Sequence, residues 1–93
     1  MRDMTDHELA QRLLAVVGSA GEGSRSAIAA GEDVIAIAEL TEAAATHHIA
    51  IPNDLLFAVR RIADEGPSGP LDADDIAALH EDIGTLALMV LSA

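Results

Sequence analysis

Histidine, carboxylate and serine are the groups from which a site in this chain would have to be built, since it has no cysteine and no tyrosine. His47 and His48 are neighbours. On a helix they point about 100° apart, so they cannot both face one metal ion. Ligation by helical histidines wants a pair at i and i+4, and no His-x-x-x-His occurs, while His7 and His80 each stand alone. "DADD", residues 72–75, lacks the alternating oxygen ligands and the loop glycine of an EF-hand. "GSAGEG", residues 18–23, has no Gly-Lys-Ser/Thr ending to cradle a phosphate. Three glycines in six residues read instead as a loop. No serine has the sequence neighbours of an activated nucleophile. The expectation is therefore no catalytic residue, no metal ligand and no cofactor.

The carboxylates carry more information as a charge pattern. Sixteen acids face five arginines and no lysine, a net charge of −11. Residues 62–93 hold seven acids and no lysine or arginine. Such a field repels phosphate backbones and anionic lipid, which argues against nucleic-acid and membrane binding and favours a basic protein partner. The opening "MRDMTDHELA" has no apolar signal-peptide core. The closing "TLALMVLSA" is shorter than the roughly twenty apolar residues that span a bilayer. With no cysteine to oxidise, a reducing cytoplasm is the expected location.

The elements that must position these acids all read as helices. Nineteen alanines and a single aromatic, Phe57, favour close helix packing but give little buried area per residue. Thr5 and Glu8 are spaced as a capping box, and Leu9, Leu13 and Val16 or Val17 follow at helical intervals. A short turn over 24–30 has Ser24 as its expected N-cap. Gly31 stops it in a left-handed conformation, and Glu32 and Asp33 open the next helix at its positive end. That helix runs to about His47. Its inward stripe is Val34, Ile37, Ala38, Thr41 and Ala44 or Ala45, with Glu32, Glu39 and Glu42 facing outward. Pro52 marks the first turn of a further helix, with Ile51 as a staple residue. Leu55 or Leu56, Val59 and Ile62 form its stripe, and Gly66-Pro67 end it. "PSGP", residues 67–70, is a turn. Asp72 caps a last helix with Ile76, Leu79, Ile83, Leu86 and Val90 along one side, and Gly84 inside it reads as a point of close packing.

Two families bear on these residues. In "IAAGEDVIAIAEL", Ile28, Gly31-Glu32, Ala36 and Leu40 fall where small helical immunity proteins of bacterial polymorphic-toxin systems (the Maf type and contact-dependent inhibition) show a hydrophobic position, a Gly-Glu step, an alanine and a leucine. With "IAIPNDLLFAVRRI" as the following helix, residues 24–62 resemble that family; "GPSGPLDADD" has no counterpart in it. The resemblance implies a cytosolic antidote that binds and blocks a toxin, often a nuclease with a basic substrate surface. An acyl carrier protein is similar in size and charge only, because neither Ser24 nor Ser26 follows an aspartate.

The whole chain, residues 1–93, is thus expected to form one small all-α domain of four or five short helices in bundle-like or orthogonal packing. It acts by binding and not by catalysis. Its expected partner-binding residues are Glu32, Glu39, Glu42, Asp72, Asp74 and Asp75, none of which has a base three or four positions away. Glu39 and Glu42 lie mid-helix, where no helix-end dipole compensates them, and stand out for that reason. A generic helical interaction or dimerisation module is the alternative, and a homodimer stays open.

Overall fold

The computed structural model describes residues 4–67 and 69–92, with side chains as far as residue 89. Four helices of twelve to twenty residues carry the fold: α1 (Asp6–Val17), α3 (Asp33–His47), α4 (Asn53–Asp64) and α5 (Ala73–Ser92). Between the first two lie a 3₁₀ segment, Gly18–Ser24, and a single turn, α2 (Arg25–Ala29). No β-strand occurs among the described residues.

Helix boundaries follow from local chemistry. Thr5 Oγ1 accepts from the Glu8 N–H at 3.1 Å, and the Thr5 N–H donates to Glu8 Oε1 at 3.2 Å, which completes the capping box. Gly31 has φ +79. Its N–H donates to the Ile28 carbonyl, and the Glu32 N–H reaches back to the Ala27 carbonyl at 2.8 Å. That pair of bonds is a Schellman stop, and it needs the left-handed residue that glycine supplies without strain. Helix α3 also ends on a left-handed residue, His48 at φ 56 in place of glycine, with the His48 and Ile49 N–H groups both donating to the Ala44 carbonyl. Pro52 sits just outside α4, and its carbonyl accepts from the Leu56 N–H. Asp72 and Asp75 exchange bonds, Asp75 N–H to Asp72 Oδ1 at 2.9 Å and Asp72 N–H to Asp75 Oδ2 at 3.2 Å, so α5 also opens on a reciprocal cap. Within "PSGP", Gly69 and Pro70 lie in a turn; Ser68 is outside the described residues.

Helix α3 is the centre of the packing. It touches α1, the 3₁₀ segment, α2 and α5, whereas α4 lies on α5 and α1. Coverage from several sides explains why its single inward stripe has to be corrected. Ala36, Ile37, Leu40, Thr41, Ala44 and Ala45 are buried, while Val34 and Ala38 are only half-buried. Thr41 meets the burial by donating its hydroxyl to the Ile37 carbonyl at 2.7 Å. One cluster of buried side chains draws on all five α-helices. The radius of gyration, 12.0 Å, matches the ~12 Å of a compact chain of this length.

Four further expectations are corrected. The glycine-rich stretch is helical in 3₁₀ form and not an open loop, and Gly21 in it is buried. A Cβ at Gly21 would overlap Leu40 Cδ2 and press on Val17 Cγ1 at 3.1 Å. Gly21 is thus the close-packing glycine, whereas Gly84 is exposed and a Cβ there would meet nothing within 4 Å. Ser24 makes no cap bond to its helix. On α4, Ala63 is the buried fourth member of the stripe, and Ile62 only half so.

Candidate functional site

The packing of α3 against α5 gathers carboxylates that lie far apart in sequence. Ile35, Ala38, Glu39 and Glu42 of α3 face Asp75, Ala78, Leu79 and Asp82 of α5, with Pro70 and Leu71 closing one end. Between them runs an open groove of about 290 Å³. Its floor is apolar. Four carboxylates line it and no base does.

Asp82 shows the electrostatic consequence. Partial burial raises its carboxyl above the ordinary aspartate value, and the negative charges of Glu42 and Glu81 push it further the same way. In the free protein nothing cationic offsets that repulsion within the groove. A second depression, about 320 Å³, lies on the other flank of α3 and is lined by Ala20, Gly21, Gly23, Ser24, Glu39, Glu42 and Ala43. Glu39 and Glu42 therefore stand on a ridge between two hollows. Ser24, 4% exposed, donates its hydroxyl to Glu39 Oε1 at 3.2 Å, which ties one side of the ridge to the 3₁₀ segment. The same bond takes Ser24 away from any role as an exposed attachment point.

Of the six acids read from the sequence, the fold brings Glu39, Glu42 and Asp75 into one groove. Glu32 borders a neighbouring hollow of about 440 Å³ with Asp6, Asp33 and Val34, which shares Ile35 and Pro70 with the groove. Asp72 and Asp74 are exposed at the start of α5, outside the groove lining, and Asp72 caps the helix. Asp82 was missed. The signal was present in the interval pattern: Asp75, Leu79, Asp82 and Leu86 recur at four, three and four residues, which sets both acids along the flank of the α5 stripe.

The histidines separate. His7 Nδ1 lies 2.8 Å from Asp33 Oδ1, pinning the start of α1 to the start of α3. His47 ends α3, His48 adopts its left-handed stop, and His80 is exposed on α5. Among the described residues, no three histidine or acidic side chains are placed to hold a metal ion, and no helix is long and apolar enough to cross a membrane. What the α3/α5 groove can do chemically is accept cations: its oxygens are acceptors of guanidinium and ammonium hydrogen bonds, and its floor suits an aliphatic stem. Set against protein-family models, curated proteins and solved structures, the chain finds no match.

Proposed function

We propose that the protein works by binding a basic protein surface through the α3/α5 groove, as an immunity protein that neutralises a toxin domain in the bacterial cytoplasm. One observation carries this reading: Glu39, Glu42, Asp75 and Asp82 converge on an apolar-floored groove that no base lines. Complementary charge across such a face speeds association and rejects wrong partners. The resemblance of residues 24–62 to polymorphic-toxin immunity proteins supplies the class of partner, a toxin such as a nuclease whose substrate surface is basic. An acidic protein seated on that surface would block substrate access.

The test is affinity purification from the native host with the tagged wild-type chain and with a Glu39→Lys, Glu42→Lys double variant. The wild type should retain a cationic toxin domain that the folded double variant releases, with slower association and a weaker dependence of the association rate on salt. Retention of that domain by both chains alike, or capture of no cationic protein, would defeat the proposal.

A further inference from the structure

Phe57, the one aromatic residue of the chain, is 64% exposed on α4. Arg60 lies one turn further along the same face, is also exposed, and forms no ion pair among the described residues. Arg61, at i+4 from Phe57, is exposed as well. Aromatic rings and guanidinium groups are the side chains that anchor protein interfaces. With Asp54 and Asp64 at its two ends, the outward side of α4 has no net formal charge in a chain of −11.

The complement to that face is on the same molecule. The α3/α5 groove offers an apolar floor, four carboxylates and no base. Helix α4 packs against α5, yet none of its residues lines the groove. The exposed face of α4 therefore cannot fill the groove of its own chain.

We infer that a second copy of this chain docks there: Phe57 of one molecule enters between Ile35, Ala38 and Leu79 of another, and Arg60 meets Glu42 and Asp82. The two surfaces differ, so the contact is heterologous and either extends head to tail or closes reciprocally in a pair. Overall like charge keeps it weak. Self-association then covers the groove reversibly, and any cationic partner competes with it. The inference concerns this chain alone and does not require that partner to be a toxin.

Sedimentation equilibrium of the full chain at physiological salt tests it. The weight-average mass of the wild type should rise with concentration. Phe57→Ala, Arg60→Glu and Glu42→Arg, each confirmed as folded by circular dichroism, should each weaken association at least tenfold. An equimolar mixture of the last two should recover a one-to-one complex, because the intact α4 face of one variant meets the intact groove of the other. If Glu42→Arg does not fold, Glu42→Gln replaces it, with association weakened severalfold. A wild type that stays monomeric throughout overturns the inference, as does association indifferent to Arg60→Glu and Glu42→Arg. Loss in Phe57→Ala with no effect of the Glu42 variant would reveal a symmetric α4 contact and would equally overturn it. None of these results touches the capture of a cationic toxin, which is read separately.

Discussion

The two flanks of α3 treat the same kinds of group differently. Toward α1 and the 3₁₀ segment, polar side chains find partners: His7 with Asp33, Ser24 with Glu39, and Glu22 with Arg25 through two bonds of 2.9 and 3.1 Å. Hydrogen bonds from Arg25, and then its charge, hold the exposed Glu22 carboxyl below the ordinary range. Packing there is tight enough that Gly21 has no room for a methyl group. Toward α5, carboxylates face carboxylates across an open groove. Sixteen acids would be a neutral matter of solubility if they were spread evenly. Four of them line the groove with no base among them, whereas Asp33 and Glu22 on the other flank meet His7 and Arg25.

The tight flank should be the costlier one to disturb. Leu40 is fully buried, and Leu40→Ala should lower unfolding free energy by about 2–5 kcal/mol in a urea titration. Gly21→Ala should cost about 1–3 kcal/mol by overpacking. Because the added methyl would meet Leu40 itself, the double variant should lose less than the sum of the two; strict additivity would mean the contact is not made. At Gly84, exposed on α5 outside the groove lining, the sign reverses. Gly84→Ala should raise stability by about 0.5–1 kcal/mol, since a helical glycine with open space around it only loses by lacking the side chain. A drop in the melting midpoint would place something against Gly84. The smallest effect is expected for His7→Ala, about 0.2–1 kcal/mol, as the Asp33 pair is half in solvent.

How far these contrasts could be read from sequence depends on whether their cause is local. The capping box at Thr5, the stop at Gly31 and the cap at Asp72 arise within four or five residues, and all three were legible. The all-helical class was legible too, because hydrophobic intervals near 3.6 run through every long segment. The inward face of α3 was legible in part: Ile37, Thr41, Ala44 and Ala45 are buried as read, but an interval pattern assumes one buried side, and α3, covered on several, buries Ala36 and Leu40 as well. Nor could sequence tell Gly21 from Gly84. Each depends on what lies opposite, Leu40 in one case and open space in the other. The groove was half legible: Glu39, Glu42 and Asp75 were read as partner-binding acids, but their meeting with Asp82, forty residues from Glu42 in the chain, depends on how α5 sits against α3.

The central claim is that the free protein carries uncompensated repulsion in the α3/α5 groove. Burial and the neighbouring Glu42 and Glu81 raise the Asp82 carboxyl in the folded state, so over that window the folded protein binds more protons than the unfolded chain. Stability then falls as pH rises through the window, from the ordinary aspartate value to the raised one. The most direct measurement is urea unfolding of the wild type and of a Glu42→Gln, Asp82→Asn double variant across a pH series. The account predicts a higher midpoint for the variant at neutral pH, with an advantage that shrinks as pH is lowered through the carboxylate range. A variant that is no more stable than the wild type at neutral pH, or whose advantage grows on acidification, would contradict it.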